Sequence, residues 1–476
     1  MSFKKLLAAR DVTSGRPWKR LVELAVPLMI GNFAQGLYNT VDTIVVGKYV
    51  GDDALSAVGA AGPLTNFLFV FFIGLGTGVS ILVSQRYGAK DRQGLALVLG
   101  NCVVLSFIVS VLTMVLGLVL TRCPIFGGRD LLQLMNTPAG NIYLWCRSYL
   151  SILFLGVTAT VFYNIFSGCL RALGDNVSAL VFLIAGCIIN IILDVVFVAD
   201  LGMGVIGAAV ATVLAQVLSA CACAFKLFNM KDVFSVSRKD LRLRKNMVSR
   251  ILSLGIPSGI GQGIFAFSNF LIQSVTNGIG PMAMACNVVV MRIDSFIMMP
   301  FLSLGTAMTT YTGQNYGAKK LERMETGVRQ GLLLAFGTGF VLTSLLVFFN
   351  KYVSVLFTDT DELINMADTA IKILAAGYLI MGMSQSLTGY LRGIGATTTT
   401  MLIVMMTQIG IRMPLTYVLA HLTRSEANPH GDFRSLYYSM LASWLIGILI
   451  DTFFFRKKKK EIRMRADDSW QLNYEE

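Results

Sequence analysis

The chain has 476 residues, of which 55% are hydrophobic and only 14% are charged. A soluble protein of this length needs more charge to cover its surface, so the composition excludes a soluble globular fold. The formal net charge of +13 would suit a nucleic-acid-binding protein. The basic residues, however, flank apolar spans instead of forming one basic domain, so no nucleic-acid partner is expected.

Apolar stretches long enough to cross a bilayer follow one another along the chain. About 20 residues suffice for one crossing. The first stretch is longer than a signal-peptide core and lacks a small-residue cleavage site, so we expect it to be retained. The predicted spans cover residues 21–47, 54–82, 94–120, 141–166, 177–199, 203–228, 249–275, 283–312, 327–350, 364–388, 398–420 and 435–455. Twelve spans predict an all-α polytopic membrane protein with both termini on one side.

Lysine and arginine are concentrated in the loops on the side of the two termini. Because cytoplasmic loops carry an excess of these residues, both termini are expected in the cytoplasm, and the protein in the plasma membrane. The basic run at 456–460 is expected to lie against anionic lipid headgroups, at about 1 kcal/mol per residue.

The first span contains two residues that are unusual in a membrane helix, Pro27 and Asp42. A lone ionised Asp at the bilayer centre costs roughly 2.5–3.5 kcal/mol on insertion scales, so Asp42 is expected to face a wet cavity or an ion path. Proline is a common cause of sharp helix kinks, which makes Pro27 a candidate hinge.

The second half of the chain repeats motifs of the first half in the same order. Three pairs carry the repeat: FFIGLGTGVSILVSQRYGAK at 71–90 with PFLSLGTAMTTYTGQNYGAK at 300–319, LAVPLMIG at 24–31 with LGIPSGIG at 254–261, and GCLRALG at 168–174 with GYLRGIG at 389–395. Their nearly constant spacing indicates a duplicated unit. Each unit has six spans, an even number, so the two copies share one orientation and are related by a pseudo-twofold axis along the membrane normal.

The duplication divides the chain into two six-helix lobes with short flanking segments. We expect a cytoplasmic N-terminus at 1–18, a first lobe at 19–228, a cytoplasmic linker at 229–248, a second lobe at 249–455 and a basic tail at 456–476. The basic linker has two interpretations, a solvated connection or a surface helix.

Several motifs resemble those of enzymes or metal sites, but the sequence around them does not fit such a function. GMGVIG at 202–207 has the glycine spacing of a dinucleotide-binding loop but lies between two spans, with no βαβ pattern around it. GLGTG at 74–78 lacks the Lys-Ser/Thr of a phosphate loop. The eight cysteines form no CxxC, which argues against zinc and disulfides. No nucleophile–base pair stands out, so we expect a non-enzyme without a cofactor.

The ionisable residues expected to be buried within the spans are few: Asp42, Asp194, Arg292, Asp294 and Arg412. The second-half position that matches Asp42 is near Ile272, which has no charge. A coupling site is therefore expected in the first half only. For Arg412 and for the Arg292/Asp294 pair, we expect structural ion pairing between helices.

Asp194 has neighbours that suit a cation. Asn190 lies four residues earlier and hence on the same helix face, and Thr212 follows in the next span. Together with Asp42 they offer two carboxylates, an amide oxygen and a hydroxyl, which are hard ligands for a small cation or a network that can share a proton. The alternative is that Asp194 only caps or pairs near the outer interface, close to Asp200.

The order of these motifs resembles the multidrug and toxic compound extrusion (MATE) family over about residues 15 to 455. The resemblance is carried by Pro27, Asp42, Gly47, Gly51, ALSAVG at 54–59, QRYGA at 85–89, the corners Leu170-Arg171 and Leu391-Arg392, and Arg412 with Pro414. It implies twelve helices in two lobes and efflux of amphipathic, often cationic compounds in exchange for protons or sodium.

The resemblance also implies site residues. The family's first-lobe cation site matches Asp42, Asn190, Asp194 and Thr212, which would take H⁺ or Na⁺. Gln35 and Asn39 are candidate substrate-cavity residues. Some members also use a Glu in helix 7 and an Asp in helix 10, but the matching stretches here contain no acid, so we expect coupling through the first lobe.

Two other functions fit a twelve-span chain. A flippase for a lipid-linked saccharide on a related scaffold would favour a basic cavity, and a non-transporting scaffold or receptor would have no use for acids at this spacing. We therefore expect a cation-coupled antiporter working by alternating access. Its partners would be small amphipathic organic substrates and membrane lipid, and it would act as a monomer.

Overall fold

The structure is a computed structural model that describes residues 9–123, 130–134, 140–425 and 430–467. All regular structure in these ranges is helical. The long helices are α1 (Pro17–Tyr49), α2 (Asp52–Gly88), α3 (Arg92–Arg122), α4 (Asn141–Leu155 and Val157–Ala172), α5 (Asn176–Asp194), α6 (Gly204–Phe228), α7 (Lys245–Ile279), α8 (Pro281–Gly317), α9 (Leu321–Val355), α10 (Asp361–Gly393), α11 (Thr397–Met405 and Met413–Leu422) and α12 (Arg434–Asp467). Two π-helical segments interrupt the α-helical pattern: Val195–Asp200 continues α5, and Met406–Arg412 joins the two parts of α11.

These helices account for the predicted membrane spans. Within the described ranges, ten helices are long and apolar enough to cross a bilayer, and α4, bent by 51°, is an eleventh. The remaining one, α2, has 37 residues and lies at the second predicted span. The bend in α4 falls at Gly156, where a Cβ would lie 2.3 Å from a methyl carbon of Val213 on α6. The predicted all-α membrane fold is confirmed.

The corners of the two halves have the same backbone conformation, as a duplication requires. Lys90 and Lys319 follow the two YGA motifs, and both adopt left-handed φ values, of 57° and 58°. Each backbone N–H donates to the carbonyl of the tyrosine three residues earlier, Tyr87 or Tyr316, at 3.0 Å. The LRALG and LRGIG corners match in the same way, because Gly174 and Gly395 have φ values of 82° and 84°.

The chain divides into two compact units, and the boundaries fall inside helices. The first unit is Met1–Asp11 with Ile30–Gly259, and the second is Val12–Met29 with Ile260–Glu476. Both α1 and α7 therefore begin in one unit and end in the other. In each helix the change comes two residues after a proline, Pro27 in α1 and Pro257 in α7.

The first unit holds the beginning of α7 by close backbone packing. A Cβ on Gly74 of α2 would lie 2.5 Å from the Cα of Gly259, and one on Gly78 would lie 2.7 Å from the N of Gly255. Small residues spaced four apart on both helices allow this approach. Around it lies an apolar core that includes Leu99 of α3.

The linker between the halves docks onto the first unit. Residues 229–244 contain no helix, and α7 begins at Lys245. Phe234 is buried in the core, and the N–H of Arg244 donates to Oδ1 of Asn101 on α3 at 2.7 Å. The surface-helix interpretation of this stretch is therefore wrong, and the connection is packed against protein for part of its length.

In the second unit, the segments at the two ends of the chain are anchored. The N–H of Val12 donates to Oε1 of Gln314 at 3.1 Å. At the other end, α12 continues through the basic run, and Arg463 donates to both oxygens of Glu325 at 2.7 Å. Lys459 also pairs with Glu325, at 2.9 Å. Contact of the remaining basic residues with lipid stays a prediction.

Candidate cation site

Two carboxyl groups meet inside the first unit. Asp42 comes from the second part of α1 and is half-buried, whereas Asp194 is the last α-helical residue of α5 and is fully buried. Their side chains hydrogen-bond to each other. Two ionised carboxylates offer only acceptors, whereas a pair of carboxyl groups this close can share one proton.

Asn190 and Thr212 complete the predicted group of four. With its amide oriented to satisfy both neighbours, Asn190 donates from Nδ2 to Oδ2 of Asp194 at 2.7 Å and accepts at Oδ1 from the N–H of Thr212 at 3.1 Å. Asn190 and Asp194 are both buried, as expected for residues four apart on one inward face. The structure thus brings together side chains from α1, α5 and α6, and Asp194 lies within this cluster.

Two tyrosines that sequence reasoning missed also belong to the site. The hydroxyl of Tyr38 hydrogen-bonds to Thr212, and its ring lies near both carboxyl groups. Tyr149 of α4 is buried and also lies near Asp42 and Asp194. Tyr38 had a usable signal, since it lies four residues before Asp42 on the same helix face.

The site has unused oxygen atoms. Within the described residues, Oδ1 of Asp42 and Oδ1 of Asp194 are buried without a hydrogen-bond partner, and no basic side chain contributes to the electrostatics of either group. The backbone changes from α- to π-helical directly after Asp194, and such π-helical turns are frequent at functional sites. The arrangement offers two carboxylate oxygens to a proton or a small cation, and an amide and hydroxyls to orient them.

The other candidate residues lie elsewhere. Pro27 is in the part of α1 that belongs to the second unit. Gln35 is exposed, and the side chain of Asn39 lies outside the described part of the chain. For Arg292 and Asp294 we expected structural ion pairing between helices: Arg292 is exposed, whereas Asp294 of α8 interacts with Tyr378 of α10 and electrostatically with Arg412 of α11.

Comparison with known proteins gives the family. The family profile described as MatE matches the chain twice, at residues 27–196 and 257–418, which places one match in each half of the duplication. The chain belongs to the MATE family. It is accordingly a transmembrane protein of the multidrug efflux type. One of the similar solved structures is a MATE protein in complex with MaD3S.

Individual relatives agree over nearly the whole chain. YoeA of Bacillus subtilis, a probable multidrug resistance protein, is 30% identical over 416 residues, which cover 86% of this chain and 88% of that protein. A crystal structure of a MATE protein in a bent conformation is 25% identical, covers 96% of this chain and 98% of its own, and superposes with a TM-score of 0.87.

A third similarity shows that the fold alone does not fix the substrate. A MOP-superfamily transporter from Pyrococcus furiosus is 25% identical, covers 95% of this chain and 98% of its own, and has a TM-score of 0.84. That structure is described as having a binding pocket of reversed polarity that suggests a different function. Because a similar fold can carry a pocket of different polarity, function must be argued from the site and not from the fold.

Proposed function

We propose that this MATE protein exports amphipathic, cationic organic compounds in exchange for protons or sodium ions that bind at Asp42 and Asp194. The observation that carries the proposal is the pair of hydrogen-bonded carboxyl groups in the first unit, with no basic side chain contributing to their electrostatics among the described residues. An acidic site attracts a cationic drug and a coupling cation alike. A flippase for an anionic lipid-linked saccharide would need the opposite polarity.

Competition between the two cations is the proposed coupling step. When Asp42 and Asp194 are ionised, they attract a cationic substrate. When an incoming proton or sodium ion binds there, the negative charge of the pair falls, the attraction for the substrate weakens, and the side chains can pack at a lower desolvation cost. The substrate then leaves on the outer side, and the cation-loaded protein turns inward. Alternating access of this kind follows from binding that favours one conformation over the other.

The contact between the carboxyl groups favours a proton as the coupling ion. A carboxyl–carboxyl hydrogen bond is satisfied by one proton, whereas sodium would need several oxygen ligands around it. The amide oxygen of Asn190 already accepts from the N–H of Thr212, which leaves fewer oxygens for sodium. Sodium remains the alternative that the experiment tests.

The number of protons decides which gradient drives export. Exchange of one proton for one monovalent cation moves no net charge, so only the pH gradient contributes, at about 1.4 kcal/mol per tenfold difference. Exchange of two protons moves one elementary charge inward, which adds about 2.3 kcal/mol per 100 mV. With one proton bridging two carboxyls, we expect one-for-one exchange in which the membrane potential has little effect.

The test is transport of a cationic dye by purified protein in vesicles with an imposed proton or sodium gradient. Asp42→Asn and Asp194→Asn should abolish gradient-driven dye movement and weaken dye binding, because each removes a charge that attracts the dye and exchanges with the coupling ion, while it keeps the shape of the side chain. Asp200→Asn is the matched control, since Asp200 is exposed at the end of the π-helical segment that follows Asp194.

Dye transport by Asp42→Asn at the wild-type rate would refute the coupling role. If dye transport by Asp194→Asn depends on the gradient as in the wild type, Asp194 is not part of the site. A sodium gradient that drives transport at constant pH would replace the proton by sodium. We further propose that the protein works as a monomer in the plasma membrane, with both termini in the cytoplasm and with no cofactor besides the coupling ion.

A further inference from the structure

The linker between the two halves carries a concentrated positive charge that the proposed coupling step does not use. It joins the end of α6 at Phe228 to the start of α7 at Lys245. Its last part, residues 238–245, contains five basic residues and one acid. We call residues 238–245 the linker loop. Its basic members, Arg238, Lys239, Arg242, Arg244 and Lys245, are all exposed.

The basic side chains of the linker loop have no acidic partner in the part of the chain that the structure describes. None of them belongs to an ion pair among those residues. Asp240, the acid of the loop, is engaged within the loop itself. Its Oδ2 accepts from the N–H and from the hydroxyl of Ser237, both at 2.8 Å. The linker loop therefore presents a net positive charge to its surroundings.

Contacts with α3 hold the backbone of the linker loop in place. The amide of Asn101 contacts it at two positions: Oδ1 accepts from the N–H of Arg244 at 2.7 Å, and Nδ2 donates to the carbonyl oxygen of Asp240 at 3.5 Å. The same carbonyl oxygen lies against Gly100, where a Cβ would come within 2.3 Å of it. Because the backbone is fixed at both positions, the loop is preorganised, which lowers the entropy cost of binding a ligand.

Two leucines lie between these fixed positions with their side chains exposed. Leu241 is 39% exposed and Leu243 is 45% exposed. Single exposed leucines are ordinary on protein surfaces, but these two alternate with Arg242 and Arg244. The linker loop lies outside the predicted spans and connects two membrane helices, which places it at the level of the membrane surface. There, apolar side chains beside basic ones contact the acyl boundary and the headgroups of anionic lipid together.

Charge and position together select an anionic phospholipid as the occupant. Its phosphate matches a guanidinium, because the planar fork of N–H groups can bind two oxygens at once. A zwitterionic phospholipid also has a phosphate, but it adds a cationic group that the basic loop repels. An acidic protein would match the charge and would leave the two leucines without an apolar partner at the membrane surface.

We propose that the linker loop is a binding site for an anionic phospholipid, with the phosphate on Arg242 and Arg244 and with Leu241 and Leu243 against the upper part of the acyl chains. The site does not depend on the antiport function. A ligand that binds the folded protein and not the unfolded chain also stabilises it. Anionic lipid should therefore raise the temperature at which the protein unfolds.

Native mass spectrometry of the full-length protein in detergent measures the affinities for phosphatidylglycerol and for phosphatidylcholine, added separately. The wild type should bind phosphatidylglycerol more tightly. In Arg242→Gln with Arg244→Gln, the ratio of the two affinities should fall at least about fivefold, which is the contribution of one basic residue near an anionic surface. The matched control, Lys90→Gln with Arg92→Gln, removes two exposed charges beside the start of α3 and should leave the ratio unchanged.

Hydrogen exchange in nanodiscs locates the bound lipid on the protein. Nanodiscs of phosphatidylcholine alone are compared with nanodiscs of an equal mixture with phosphatidylglycerol. The peptide that covers residues 238–247 should exchange more slowly in the mixture, because bound lipid suppresses local opening of the loop. The connection between α9 and α10 at 356–360, which contains an acid and no base, should exchange equally in both.

Three outcomes would overturn the proposal. The first is an unchanged affinity ratio in Arg242→Gln with Arg244→Gln. The second is an equal fall in the Lys90→Gln and Arg92→Gln control, because it would show a general effect of surface charge. The third concerns Leu241→Ser with Leu243→Ser, which should weaken the binding of phosphatidylglycerol. Unchanged binding there would exclude a lipid as the occupant, because a free anion needs no apolar contact.

Discussion

The glycine contact between α2 and α7 predicts a graded loss of stability on alanine substitution. In Gly78→Ala the new Cβ would lie 2.7 Å from the N of Gly255 and 2.8 Å from the carbonyl oxygen of Ile251, whereas ordinary contact begins at 3.4 Å. Both neighbours are backbone atoms, so no side chain can rotate away. The two helices must separate by about 0.7 Å, which weakens the dispersion contacts along the whole interface.

The net cost follows from two opposing effects. Overpacking of a well-packed interior typically costs about 1–3 kcal/mol, while alanine in place of glycine stabilises a helix by up to about 1 kcal/mol. We therefore expect Gly78→Ala to lower the free energy of unfolding by about 1–2 kcal/mol. Gly255→Ala should cost less, because its Cβ would lie 3.1 Å from the Cα of Leu75. Gly62→Ala on α2 meets no atom within 4 Å and should be neutral or stabilising.

Thermal unfolding of the purified variants in one detergent measures the order of their stabilities. Dye efflux in vesicles measures how the loss of stability affects transport. The stability order should be Gly62→Ala, then Gly255→Ala, then Gly78→Ala as the least stable. A Gly78→Ala variant as stable as Gly62→Ala would refute the close packing, because only the backbone contact distinguishes the two positions.

Three further outcomes are expected. Tyr38→Phe, which removes the hydroxyl bonded to Thr212, should slow gradient-driven dye efflux about two- to tenfold, as the loss of one hydrogen bond implies, and wild-type efflux would contradict this role. Asp175→Ala removes the N-cap of α5 and should lower the unfolding free energy by about 1 kcal/mol. Asp175→Asn should retain most of the wild-type unfolding free energy. A loss as large as that in Asp175→Ala would exclude capping. Glu325→Gln weakens the ion pairs with Lys459 and Arg463 and should speed tryptic cleavage near Arg463 severalfold. An unchanged cleavage rate would show that these ion pairs do not hold the end of α12 in place.

The membrane fold and the four-residue cation cluster were predictable because each left a local or repeated signal. Apolar length alone gives the spans, and the repeated YGAK and LRxxG motifs give the duplication. Asn190 and Asp194 share a helix face because they are four residues apart. What no single stretch reveals is that α1 and α6 approach the same face of α5. The family resemblance supplies that step, and the structure brings the side chains together.

Other features could not be read from one sequence for physical reasons. Tyr149 of α4 lies near the carboxyl groups, and no sequence spacing relates it to Asp42. A π-helical segment holds about one residue more per turn than an α-helix, and neighbouring helices must leave room for it. No simple sequence pattern marks such a place. Ion pairing between helices was expected for Asp294, but its partners could not be named from the sequence. Neighbours two apart point to different sides of a helix, and the interactions of Asp294 came from α10 and α11 instead.

The duplicated prolines, Pro27 and Pro257, lie next to the boundaries between the two units. The repetition of Pro27 as Pro257 shows that proline at this position belongs to the duplicated architecture, which by itself says nothing about bending. The structure adds that α1 and α7 each pass from one unit to the other two residues after the proline. A helix lacks one backbone hydrogen bond at a proline and bends there at least cost. The hinge role predicted for Pro27 would therefore apply equally to Pro257, and it stays a prediction.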